Sequence, residues 1–245
     1  MRLYFILTHV REFFNNNINF LLRIAKVLCL CYNYQGRRGD SVSGFEVGTF
    51  VAYTPIKESL FIDSLYPIER QLEVDKCKNE SARREKYYVW KLLEKVVRMH
   101  LNCDFANLKF TKTDNGQWIC PDFYFSLSHT NGLVCVAVSD EPIGVDAEFV
   151  RDINPDLKGK ILTDRELLSI EKLEGVDTSR YLLESWVKKE SIFKKTGGKA
   201  LLPNRTEVSE HHTEIKIASV GDEQFIISVA CNENKKITFE YMEDI

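Results

Sequence analysis

Residues 123–149 read FYFSLSHTNGLVCVAVSDEPIGVDAEF, and this stretch decides the fold. FYFSLSH (123–129) and LVCVAVS (133–139) each fit a β-strand. The turn between them contains Asn131-Gly132, a pair suited to a tight hairpin. After Asp140-Glu141 a third strand follows, PIGVDAEF (142–149). Side chains alternate across a strand, so Asp146 and Glu148 point to the same side.

Working outward, VGTFVAYTPI (47–56) predicts a strand. Residues 81–100 carry Tyr88, Leu92, Leu93, Val96 and Val97 at helical spacing. Downstream, Thr163 and Glu166 form a capping box, and Leu162 with Leu167 a hydrophobic staple. A long helix is expected over about 178–196, stopping at Gly197-Gly198. EIKIAS (214–219), QFIISVAC (224–231) and KITFEYM (236–242) supply three closing strands. Strands and helices recur in both halves, which predicts an α+β fold of two lobes.

The 245 residues can bury a real core without disulfide staples. Hydrophobic residues make up 44% and charged residues 28%, an ordinary globular balance. A net charge of −3 gives no basic field for nucleic acid. The seven cysteines form no CxxC and mostly lie in apolar runs, so reduced core thiols are expected, and with them a cytoplasmic protein. Residues 18–31, INFLLRIAKVLCLC, are interrupted by Arg23 and Lys26 and are too short to span a bilayer. They predict an amphipathic helix packed on the body, with a membrane-surface helix as the less favoured reading. QGRRGDSVSG (35–44) then resembles a linker.

Three constellations could carry chemistry. Asp146 and Glu148 repel each other unless something positive lies between them, and Mg²⁺ with its oxygen ligands suits them. A solvated strand end with two unrelated acids is the plainer alternative. On the helix WVKKESIFKK (186–195), Leu183, Trp186, Glu190 and Lys194 form one stripe. By itself the Glu190–Lys194 spacing fits a surface ion pair of a few tenths of a kcal/mol. Lys188 and Lys195 fall on the opposite face. Ser128 and His129, where a strand ends, could hydrogen-bond a phosphate or simply be structural.

The order SLSHT (126–130), GVDAE (144–148), WVKKESIFKKTGG (186–198) resembles the three signature motifs of the 4′-phosphopantetheinyl transferases. The likeness is to the larger single-chain, surfactin-synthetase-activating type. It covers roughly 46–235 and is sharp at 123–201. It implies an α+β fold of two similar lobes in pseudo-twofold arrangement, with coenzyme A between them. Residues 1–44 would be an extension and linker, 45–143 one lobe, and 144–245 the other.

The implied reaction moves 4′-phosphopantetheine from coenzyme A to a serine of an apo acyl or peptidyl carrier protein. Adenosine 3′,5′-bisphosphate leaves. Asp146, Glu148 and Glu190 match the Mg²⁺ ligands of the family. Lys194 matches the lysine that contacts the pyrophosphate or assists proton transfer, and Ser128 with His129 the phosphate-binding pair. Lys189 matches the first motif lysine, of architectural or phosphate-contacting role. Glu166 lies where some members have a base for the acceptor serine, although the capping box explains it equally. Arg84 falls where the family places a basic contact to the 3′-phosphoadenosine end, with Arg83 and Arg70 as weaker candidates.

Gly116-Gln117-Trp118 departs from the family's Gly-Lys/Arg-Pro pattern, so one phosphate or adenine contact is expected either to be lost or to pass to Lys112 or Lys199. A monomer is expected, without nucleic acid or membrane as partner. Carrier proteins are acidic, so a local basic rim is expected despite the overall charge. The competing readings are a non-catalytic coenzyme A binder and an unrelated Mg²⁺ phosphohydrolase.

Overall fold

The computed structural model describes residues 48–57, 63–113, 116–172, 177–198, 200–243 and 245. The expectations for the extension 1–44 and for Lys199 lie outside these residues.

Four strands form the first sheet: β1 (Thr49–Pro55), β4 (Tyr124–Thr130), β5 (Leu133–Ser139) and β9 (Ile237–Tyr241), in the order β4-β5-β1-β9. The hairpin β4–β5 turns where Asn131-Gly132 predicts it, with Gly132 at φ +86°. A short ribbon joins β2 (Thr111–Lys112) to β3 (Trp118–Ile119). The second sheet is β6 (Gly144–Phe149), β8 (Glu223–Ala230) and β7 (Thr213–Val220), in the order β6-β8-β7. The first half carries helices α1 (Ile68–Asp75) and α2 (Glu80–His100), and the second half α3 (Lys158–Ile161), α4 (Asp164–Ile170) and α5 (Thr178–Thr196).

Alternation along the strands builds the layers. Val134, Val136 and Val138 of β5 face α2, joining Tyr88, Leu92, Leu93, Val96 and Val97 as the helical spacing predicts. Trp90 at the centre is ringed by Phe105, Phe110, Trp118 and Phe125. The other face of that sheet, with Val51, Leu133 and Cys135, packs on Val145, Ala147, Phe225 and Ile227 of the second sheet. Ile226, on the far side of β8, meets Leu182, Leu183, Trp186 and Val187 of α5. The chain is thus layered helix, sheet, sheet, helix.

One boundary differs from the sequence expectation. β9 does not stay with the second sheet; it returns to pair in parallel with β1. A unit of 144–245 therefore describes the second sheet only up to β8. The cause is non-local: Ile237 and Phe239 of β9 pack with the cluster between the two sheets. Cys77, Cys103, Cys120, Cys135 and Cys231 are free thiols, as expected for those five.

Candidate active site

The two sheets meet along β4 and β6, and a stripe of hydroxyls makes the junction. Ser126, Ser128 and Thr130 share one face of β4. The Val145 N–H donates to Ser126 Oγ (2.9 Å) and the Ala147 N–H to Ser128 Oγ (3.1 Å). These hydroxyls satisfy edge amides that β8 leaves unpaired. Ser128 Oγ also donates to Asp146 Oδ1 (2.8 Å), and Thr130 Oγ1 to Glu148 Oε2 (3.4 Å). Ser128 thus already serves the strand junction and a carboxylate. The hydroxyl period of two along β4 is the sequence signal for this junction, and it adds Ser126 to the residues expected there.

Helix α5 seats directly on β6. A Cβ placed on Gly144 would stand 1.9 Å from the Ser191 carbonyl oxygen and 2.5 Å from the Lys195 amide nitrogen. Only glycine permits this approach. Ser191 Oγ meets Ser228 Oγ at 2.9 Å and ties the helix to β8. Asp177 caps the helix start by accepting from the Arg180 N–H (3.0 Å), and Gly197 ends it at φ +66°.

This seating brings Glu190 and Lys194 against β6. Lys194 Nζ donates to Asp146 Oδ1 at 2.7 Å and reaches the Leu127 carbonyl at 3.3 Å. Glu190 is only 2% exposed. It is no surface partner of Lys194. Burial first, then the Asp146 carboxylate, push the Glu190 carboxyl well above the usual carboxylate range, while Lys194 opposes them. Asp146 Oδ2 and Glu190 Oε1 are both buried without a hydrogen-bond partner. Buried carboxylate oxygens of this kind are costly unless something positive joins them.

That pair fits a hard cation, with Glu148 two residues along the same strand face. Among the described residues, no three His, Cys, Asp or Glu side chains already converge as a metal-binding group. Instead, Glu148 Oε2 is engaged by Thr130 and lies 3.9 Å from Arg151, and the Lys194 ammonium sits on Asp146.

A cleft of about 360 Å³ opens above these groups. Its walls include Ser128, His129, Asp146, Glu148, Glu190 and Lys194, so three separate sequence motifs share one cavity. Gln117 and Trp118 line it as well, with Arg70, Glu85 and Lys86 from the helical side. His129 Nδ1 lies 3.1 Å from Glu85 Oε2.

Three expected site residues stand elsewhere. Lys189 is fully buried and donates to the carbonyls of Ile161 (2.8 Å) and Pro203 (2.9 Å) and to the Glu166 carboxylate. It is an architectural lysine, with no donor left for a phosphate. Glu166 closes the predicted capping box, accepting from the Thr163 N–H at 2.9 Å, and takes Lys189 on the same oxygen. Neither residue lines the cleft, so Glu166 is a cap and ion-pair partner here. Arg84 pairs with Glu80 at 3.3 Å and also lies off the cleft wall.

The cations that do line the helical wall are Arg70 and Lys86. Arg70 is buried over the Trp90 ring, and burial lowers its pKa to about 10. Lys112 is tied to Glu73 and does not take over the position of Gln117. Lys195, on the opposite face of α5, donates to the Cys231 carbonyl at 2.5 Å.

The family model of the 4′-phosphopantetheinyl transferase superfamily matches residues 142–240, which hold β6, α5 and the carboxylate cluster. The class read from the motifs is thereby borne out for this part of the chain. Among individual proteins, 4′-phosphopantetheinyl transferase gsp of Aneurinibacillus migulanus is 26% identical over 129 residues, 51% of this chain and 54% of that one. 4′-Phosphopantetheinyl transferase Sfp of Bacillus subtilis (strain 168) is 28% identical over 118 residues, 46% and 51%. The resemblance to the surfactin-synthetase-activating type agrees with these matches. The chain spans about half the length of these curated relatives. Among the described residues, no helix is long and apolar enough to cross a membrane.

Proposed function

We propose that this chain transfers 4′-phosphopantetheine from coenzyme A to a serine of an apo acyl or peptidyl carrier protein. The observation that carries the reading is the meeting of Asp146, Glu190 and Lys194 at one cleft, with two carboxylate oxygens buried and unpartnered. Asp146 and Glu190, with Glu148 beside them, are the residues that would hold Mg²⁺. When bound, that ion would neutralise the pyrophosphate and polarise the phosphoryl group under attack.

Lys194 both contacts Asp146 and lines the cleft, so its ammonium would be the group to meet a pyrophosphate oxygen there. In the exchange, the serine oxygen forms a bond to phosphorus and the bridging P–O bond breaks. Its electron pair leaves on adenosine 3′,5′-bisphosphate. The serine proton needs an acceptor in the cleft. Glu166 is committed to Lys189 and lies off the cleft, so in this reading a carboxylate of the cleft itself, Glu190 among them, would take the proton. We further propose a cytoplasmic monomer. It would meet its acidic carrier through charged groups around the cleft, without nucleic acid or membrane.

Asp146→Asn and Glu190→Gln test the assignment. Each should lower turnover by a factor of about 100 or more while the protein keeps its fold. Mg²⁺ with coenzyme A should raise the wild-type melting temperature and move the variants much less. Turnover like wild type in both variants would overturn the site.

A further inference from the structure

We infer that Glu85 is a positioning residue for His129, and that the pair presents one fixed edge of the imidazole to a phosphate of the substrate. The inference rests on the coenzyme A reading and adds a residue that none of the three motifs contains. Glu85 lies in the first turns of α2, and His129 near the end of β4, so the pair bridges a helix and a strand. Glu85 Oε2 stands 3.1 Å from His129 Nδ1, and both side chains line the cleft. The contact is an ion-pair distance, and a carboxylate oxygen only accepts, so it favours the proton on Nδ1. With Nδ1 held against Glu85, Nε2 is the nitrogen left for a ligand. A flip of the ring would forfeit that approach.

Another histidine–carboxylate pair shows what a purely structural case looks like. His100 meets Glu240 at 3.0 Å, but its ring is stacked on Phe50 with centroids 3.8 Å apart, and it does not line the cleft. His129 has the same kind of partner yet opens onto the cavity.

The test combines imidazole ¹⁵N NMR of the full chain with calorimetric binding of coenzyme A and 3′-dephospho-coenzyme A. Glu85→Ala should remove the Nδ1–H signature of His129 and weaken coenzyme A binding by about tenfold, the lower end for loss of an orienting partner. Glu85→Gln keeps an accepting oxygen and should restore most of both. In a His129→Ala background, Glu85→Ala should add no further loss. A Glu85→Ala effect confined to coenzyme A assigns the contact to the 3′-phosphate, and an equal effect on both ligands assigns it to the pyrophosphate.

Wild-type affinity in Glu85→Ala overturns the proposal, as does the same loss in the absence of His129. If the wild type binds no coenzyme A, the reading of the cleft fails and the inference about its phosphate fails with it. The Nδ1–H signature still decides separately whether Glu85 orients the ring.

Discussion

Replacing Gly144 by alanine perturbs the contact on which the whole site depends. The added Cβ would lie 1.9 Å from the Ser191 carbonyl oxygen, 2.5 Å from the Lys195 amide nitrogen and 3.0 Å from the Ser191 carbonyl carbon. All three are backbone atoms of α5, so no side chain can rotate away. An ordinary contact begins at 3.4 Å, and the helix must therefore retreat by about 1.5 Å. Overpacking of this kind costs about 1–3 kcal/mol, and backbone on both sides argues for the upper end. At about 2–4 °C per kcal/mol, the melting temperature should fall by roughly 6–12 °C.

The same retreat carries Glu190 and Lys194 away from Asp146. A misplacement near 1 Å can cost on the order of 100-fold in rate. Gly159→Ala in α3 is the control, because a Cβ there meets nothing within 4 Å. Thermal melts and single-turnover rates on both variants make the comparison. A Gly144→Ala protein that melts and turns over like wild type would refute the seating of α5 on β6.

Two further outcomes follow from the buried charges. Lys189→Met strands the Glu166 carboxylate and should cost about 3–5 kcal/mol. Coenzyme A affinity should be unchanged at a temperature where the variant stays folded; lost affinity with unchanged melting would instead restore a phosphate role to Lys189. The Glu190 carboxyl is raised above its unfolded value of 4.5 by burial and by Asp146. Below about pH 4.5 both folded and unfolded states hold the proton; above it the unfolded chain releases the proton first, so the folded state loses ground as pH rises toward the folded pKa. Melts of wild type and Glu190→Gln without metal should therefore diverge in favour of Gln as pH rises above about 4.5, and a constant difference would contradict the burial of an unpaired carboxylate.

Local signals fixed much of this fold. Asn131-Gly132 placed the hairpin, and Gly197 stopped α5 where the sequence predicts. Strand alternation put Asp146 and Glu148 on the face that meets α5, with Ala147 on the opposite face. Non-local contacts were out of reach. Glu190 and Lys194 match a surface pair by spacing, and only the closeness of Gly144 to α5 buries the glutamate and turns the lysine to Asp146. Lys189 precedes Glu190 directly, yet that single step in a helix turns it toward Ile161 and Pro203, which no spacing rule identifies. The same is true of Arg84 and Glu85: adjacent positions on α2 face different surroundings, and only Glu85 meets β4. The parallel pairing of β9 with β1 joins residues some 190 apart in the chain, and nothing in KITFEYM names its partner.

The central claim is the transfer itself. Intact-mass analysis of a panel of apo carrier proteins, incubated with the enzyme, coenzyme A and Mg²⁺, measures it directly. At least one carrier should gain the mass of a single phosphopantetheine, and the gain should vanish with Asp146→Asn. A broad panel left unmodified by demonstrably folded enzyme would contradict the account.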